Sequence, residues 1–238
     1  MIFLLRENSH SNEVSVFYDS IKKKFYKTSL GRHGSYLLNN EVNGIKFFNS
    51  FKSNNKIKFN YTKKIHYTRL EIEKIKGFQA NYRNSFYKNF SYFEKITKFY
   101  LHNWPKHKIQ YSHGDLTLDN VFFYKNKIII FDWEHFKISK KLFFGYDLIY
   151  LLLSGLILPG ENKFDYKSRE KFKEIYKKLY RHKINKNFLN YPFDSIDKAL
   201  SNVFTNILIK SPKKFITISI KNNFKDEILN FINKEIVK

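Results

Sequence analysis

The residues best suited to chemistry stand close together: His113-Gly114-Asp115-Leu116-Thr117-Leu118-Asp119-Asn120, then an apolar run, then Phe131-Asp132-Trp133-Glu134. A carboxylate at Asp115, after a glycine that lets the backbone turn tightly, can orient an attacking hydroxyl and accept its proton. The Asn120 amide oxygen is a hard neutral ligand and the Asp132 carboxylate a charged one, and both suit Mg2+. Ile128-Ile129-Ile130-Phe131 reads as a buried strand whose end would hold Asp132 rigidly. A base and two oxygen ligands around one point are what phosphoryl transfer from a nucleotide requires, because its catalysis is mostly positioning and charge neutralisation. Each residue alone has a plainer use: Asp115 as a turn or helix cap, Asp132 as a surface turn residue, His113 as a buried, hydrogen-bonded support of the loop.

The elements that would position these groups fall into two regions. The N-terminal third reads as strands and turns: an apolar run at Ile2–Arg6, a polar turn at Glu7–Asn12, and strands at Val14–Asp19 and Phe25–Leu30 around a basic turn at Ser20–Lys24. Gly31 and Gly34 punctuate, and Ser35 is placed to cap a helix over Tyr36–Phe51, with Leu37, Leu38, Val42, Ile45, Phe48 and Phe51 near one side. Strands follow at Ile57–Tyr61 and Tyr67–Lys74, and the joint between regions falls near Ile75–Gly77. From Phe78 the pattern turns helical, with Tyr82–Trp104 stopped by Pro105. After the motif loop comes a strand at Lys127–Phe131. Leu148–Leu158 is too short to span a bilayer and reads as a buried helix. The rest reads as helices to the end, with amphipathic patterns at Tyr166–Tyr180 and Phe224–Ile236.

These motifs resemble the aminoglycoside phosphotransferase and choline kinase superfamily. His113-Gly114-Asp115-Leu116 with Asn120 is similar to its catalytic loop. Ile130-Phe131-Asp132-Trp133-Glu134 is similar to its metal-binding segment, and Gly145-Tyr146-Asp147-Leu148 to the segment opening its next helix. The resemblance implies an α+β, two-lobed protein-kinase-like fold. A small antiparallel β N-lobe with one helix (residues 1–76) would bind nucleotide, and a larger, mainly α C-lobe (77–238) would carry catalysis and the acceptor. It implies Asp115 as base, Asn120 and Asp132 as Mg2+ ligands, and His113 and Asp147 as support, Asp147 bracing the loop or capping its helix. Lys27 would contact the phosphates of ATP, with Glu41 pairing it, and backbone groups around Glu73, Lys74 and Ile75 would meet the adenine. The first turn, Glu7–Asn12, has no glycine where a protein-kinase phosphate loop is glycine-rich, although its Ser and Asn residues supply donors.

Composition bounds the partners. The 238 residues suffice for one large domain or two small lobes, and 42% hydrophobic content argues against disorder. The absence of cysteine excludes disulfides and thiolate metal sites. No secretory signal or membrane span is expected, and a cytoplasmic protein is. The net charge of +23 invites a nucleic-acid reading. Abundant Lys, Asn, Ile, Phe and Tyr, with alanine only at Ala80 and Ala199, instead point to the residue usage of AT-rich coding sequence. The expected partners are therefore a nucleotide and a small-molecule hydroxyl. With 21 acidic residues against 44 basic ones, a sugar, amino-sugar or anionic saccharide suits the charge better than a polycationic aminoglycoside, although Glu134, Glu161 and Asp165 could line a local acidic pocket. Choline would need an aromatic cage. An inactive pseudokinase scaffold and a basic nucleic-acid-binding protein are the alternatives.

Overall fold

The structure is a computed structural model that describes residues 1–6, 13–52, 56–106, 109–140, 142, 144–181 and 222–236. The turn expected at Glu7–Asn12 and the helices expected over 182–221 lie outside the described residues. Packing divides the chain into two compact units: Met1–Gln79 with Asn120–Lys137, and Ala80–Asp119 with Ile138–Lys238. The class is α+β, with an antiparallel sheet and one long helix in the first unit and mainly helices in the second.

The first unit is built on a five-stranded antiparallel sheet of order β1-β2-β3-β5-β4. Its strands are β1 (Ile2–Arg6), β2 (Ser15–Asp19), β3 (Lys24–Ser29), β4 (Phe59–Lys63) and β5 (Thr68–Glu73). Asp19 closes the β2–β3 turn by accepting the Ile21 and Lys22 amides at 3.0 and 3.1 Å. On β5 the residues alternate, with Thr68, Leu70 and Ile72 buried, as a strand covered on one face requires. Lys27 pairs directly with Leu70, so its side chain leaves the sheet on that covered face.

Helix α1 (Arg32–Asn49) runs between β3 and β4 and buries Leu37, Leu38, Val42, Ile45 and Phe48. Glu41 lies within that apolar stripe, three residues after Leu38 and four before Ile45. The helix starts four residues earlier than the sequence suggests, and Ser35 does not cap it. Ser35 Oγ instead pairs with Thr68 Oγ1 at 2.8 Å. The first turn receives a carboxylate from a distant segment: the Gly34 amide donates to Glu13 Oε2 at 3.1 Å. An anion at a helix N-terminus meets unpaired N–H groups and the positive end of the dipole. A Cβ at Gly31 would displace the Glu13 carboxylate from the position where it meets the Gly34 amide.

A second, three-stranded sheet of the same unit has order β6-β8-β9, from β6 (Phe78–Gln79), β8 (Val121–Tyr124) and β9 (Lys127–Ile130). Lys125 and Asn126 join β8 to β9 with positive φ at both, 45° and 63°, which gives the twist a two-residue hairpin needs. After β9 a single 3-10 turn, Trp133–His135, packs on α1. Trp133 is fully buried, donates Nε1–H to the Ile130 carbonyl at 2.8 Å, and sits edge-on to Phe47.

The second unit contains α2 (Phe86–Asn103), β7 (Gln110–Ser112), α3 (Tyr146–Ile157), α4 (Tyr166–Arg181) and α5 (Asn222–Phe231). Ser85 caps α2 by accepting the Lys88 amide. Every residue of α3 is buried, as expected for so apolar a helix. Phe86 and Phe93 stack at 4.3 Å between centroids, and Gly155 leaves room for the Phe93 ring. Among the described residues no helix is long and apolar enough to cross a membrane.

Candidate active site

The β8–β9 hairpin places two of the expected residues. Val121 is opposite Ile130, and the Phe131 amide extends the ladder by donating to the Asn120 carbonyl at 3.1 Å. Asn120 therefore precedes one strand and Asp132 follows the other at the same end of the hairpin. Asn120 is buried. Asp132 has φ 63° and ψ 56°, left-handed backbone that costs a non-glycine residue roughly 1–2 kcal/mol and that Asp tolerates better than most. The strand ends one residue before Phe131, so the last step to Asp132 is an irregular turn rather than strand.

This turn brings Asp132 to Lys27. The Lys27 ammonium donates to Asp132 Oδ1 at 2.6 Å, Glu41 Oε2 at 2.8 Å and Glu134 Oε1 at 3.3 Å. Lys27 and Glu41 are thus brought together across β3 and α1. Burial opposes the charge on Lys27, but Asp132, Glu41 and Glu134 outweigh it and hold its pKa well above the ordinary lysine value. Burial pushes Glu41 up to about 7, against the pull of Lys27 and with the help of the two neighbouring carboxylates. The second oxygen of Glu41, Oε1, has no hydrogen-bond partner among the described residues.

Three carboxylates against one ammonium leave a surplus of negative charge. Ligand atoms of Glu41, Asp132 and Glu134 all lie within 4.8 Å of one another, so the donor set fits a hard divalent cation. Glu134 corrects an expectation. It is buried on Lys27, not lining an acceptor pocket, because the 3-10 turn carries it under α1. Glu161 and Asp165 are exposed, and the Asp165 carboxylate accepts the Ser168 amide.

In the second unit Asp147 organises the motif loop. It is fully buried in the first turn of α3 and accepts Ser112 Oγ at 2.8 Å, the His113 amide at 2.8 Å and the Gly114 amide at 3.0 Å. Of its two expected uses, the side chain serves the loop; Gly145 occupies the cap position, with no side-chain cap. Gly114 takes φ 79°, the left-handed backbone this turn requires. His113 is fully buried, and its Nδ1 accepts the Asp115 amide at 3.3 Å. Thr117 Oγ1 donates to the Asp119 carboxylate. Asp115 Oδ1 accepts a hydrogen bond from the Tyr150 hydroxyl at 2.8 Å, a contact the sequence reading missed. The signal was present: Tyr150 is three residues after Asp147 on the same helix face.

At the expected hinge, the amides of Glu73 and Lys74 are engaged by the Lys58 and Lys23 carbonyls at 3.0 and 2.8 Å. Ile75 follows the end of β5.

No family model and no curated protein matches the sequence. Among solved structures the chain is similar to an amicoumacin kinase in complex with AMP-PNP and Ca2+, at 15% identity, covering 96% of this chain and 88% of that one with a TM-score of 0.48. It is also similar to the ADP-bound aminoglycoside phosphotransferase APH(2'')-Ib, at 12% identity over 98% and 91% of the two chains, TM-score 0.48. A third is the spectinomycin phosphotransferase APH(9)-Ia with ADP and spectinomycin, at 12% identity over 99% and 89%, TM-score 0.44. At these identities and scores the likeness transfers neither substrate nor residue roles to this chain.

Proposed function

We propose that the chain is an ATP-dependent phosphotransferase that moves the γ-phosphoryl group to a hydroxyl of a small molecule. The observation that carries this reading is the Lys27 ammonium clasped by Glu41 and Asp132, drawn from β3, α1 and the end of β9. A buried ammonium with an excess of carboxylates around it is arranged to receive a polyanion accompanied by a metal. Lys27 would hold the α- and β-phosphates, with Glu41 fixing its position. Asp132 and Asn120 would hold Mg2+, with Glu134 as a further carboxylate. When bound, the ion neutralises charge on the transferring phosphoryl group. Backbone groups around Glu73, Lys74 and Ile75 would meet the adenine, with the Glu73 and Lys74 amides already engaged by the Lys58 and Lys23 carbonyls.

Asp115 would act as general base. The acceptor hydroxyl gives its proton to the Asp115 carboxylate as its oxygen bonds the γ-phosphorus. The bond from that phosphorus to the bridging oxygen breaks, and ADP leaves. Asp147 and His113 hold the loop that presents Asp115. The acceptor class is a sugar, amino-sugar, amino-alcohol or saccharide, and the excess of basic residues disfavours a polycation.

The test is a Mg-ATP phosphorylation screen against hydroxylated metabolites, with a thermal shift in parallel. Mg-ATP should raise the melting temperature, Asp132→Ala should remove most of that rise, and Asp115→Asn should abolish transfer while sparing nucleotide binding. Full transfer by Asp115→Asn defeats the assignment. An inactive scaffold would turn over no acceptor. A nucleic-acid binder would show affinity that falls steeply with salt and ignores Asp132.

A further inference from the structure

Asp147 and Tyr150 of α3 both reach the motif loop, and they do different things. Among the described residues Asp147 bonds groups of Ser112, His113 and Gly114, and so sets the path of the backbone. Tyr150, one turn later on the same face, bonds the side chain of Asp115 itself. Tyr150 has no exposed surface, and its ring packs 6.4 Å from that of Tyr146. Its hydroxyl therefore has a fixed origin, a helix buried along its whole length. Asp115 by contrast stands on a loop, and the terminal torsion of an aspartate is intrinsically broad. Bracing the loop backbone does not choose that torsion, whereas a bond to one carboxylate oxygen from a rigid donor does.

We propose that Tyr150 is a positioning residue for the general base: its hydroxyl fixes the plane of the Asp115 carboxylate and so the direction in which it meets the acceptor hydroxyl. The inference rests on the reading of Asp115 as base. Tyr150 keeps its own proton, and the acceptor's proton ends on Asp115, so the phenol is not a relay. A phenol donating to a carboxylate also favours the ionised form, which is the form able to accept a proton. Other titratable groups of this loop and its support in the same unit are His113, whose ring accepts the Asp115 amide, Asp147 beneath the backbone, and Asp119, which accepts the Thr117 hydroxyl.

Tyr150→Phe removes the hydroxyl and keeps the buried ring, so folding is checked simply by circular dichroism. The expected result is a kcat for phosphoryl transfer lower by about 10- to 100-fold. KM for Mg-ATP should be unchanged, and the acid limb of the kcat profile should move up by about one pH unit. A tyrosine that only packs would leave that limb in place. The second measurement needs no activity: a carbon-13 titration of the Asp115 carboxyl. Its midpoint should rise in Tyr150→Phe and fall with 3-fluorotyrosine at position 150, a stronger donor of the same shape. If Asp115→Asn transfers phosphate as well as wild type, the base assignment has failed; the Tyr150–Asp115 coupling is still decided by the titration. Identical Asp115 midpoints in wild type and both variants, or wild-type kcat in Tyr150→Phe, overturn the proposal.

Discussion

Asp132 Oδ1 lies 2.6 Å from Lys27 Nζ although the two residues stand 105 positions apart. The contact joins the middle of one sheet to the end of a hairpin in another, and the 3-10 turn after Asp132 adds Glu134 to the same ammonium. An ammonium so enclosed stays charged, and the strain of the excess falls on the most buried carboxylate, Glu41.

That strain sets a pH dependence. Glu41 titrates at about 7 in the folded protein against a reference of 4.5. The folded state therefore binds a proton that the unfolded state has released, and stability falls as pH rises between these values. The contribution is fully present below about pH 4.5 and is lost as pH passes through about 7. Its size is roughly 3 kcal/mol, from about 1.4 kcal/mol per pH unit. Urea unfolding from pH 5 to 8 in EDTA should show this decline in wild type and a flatter profile in Glu41→Gln.

Asp132 combines a chemical and a conformational demand. Its left-handed backbone, φ 63°, suits glycine best. Asp132→Gly should be more stable than Asp132→Ala by about 1 kcal/mol, while both lose most of the stabilisation by Mg-ATP. Denaturant midpoints with and without the nucleotide separate the two demands. Equal stabilities would show that the turn does not hold this backbone in solution.

The turn reaches Lys27 only because α1 carries a glycine where Trp133 docks. A Cβ at Gly44 would collide with Trp133 Cβ and stand 2.7 Å from its Cγ. Gly44→Ala should lose about 2 kcal/mol, despite alanine's better helix propensity, and should alter Trp133 fluorescence. A stabilised Gly44→Ala would contradict the packing described.

Asp147 carries the loop in the second unit. Asp147→Asn keeps its size but replaces one accepting oxygen with a donor facing hydroxyl or amide hydrogens. A loss of about 2–3 kcal/mol is expected, with slower transfer. Thermal melts and single-turnover rates measure the two effects, and Asp147→Ala should be no better than Asp147→Asn on either.

Much of the scaffold was legible in the chain. Strands were expected where β2, β3 and β5 lie, apolar residues near one side marked α1, and a continuous apolar run marked α3 as buried. The failures were at helix and site edges. Ser35 has the right chemistry for a cap, yet the cap comes from Glu13, 21 residues before Gly34. Local propensity does not register a partner from another segment. Glu134 was expected as an acid able to line an acceptor pocket, because an acid's neighbours are set by helix docking and not by its own flanks.

By itself the sequence determined which groups were available: a carboxylate after a tight glycine turn, an amide five residues on, an aspartate after a buried strand, and a lysine on the third strand among many other lysines. These follow from covalent order and local backbone preference. Only the tertiary structure decided that Lys27 is the lysine enclosed by Glu41, Asp132 and Glu134, and that Tyr150 holds Asp115. The physical reason is that strand register and helix packing select side-chain neighbours over long chain separations. Burial then turns those neighbours into the charge balance a phosphoryl group would meet.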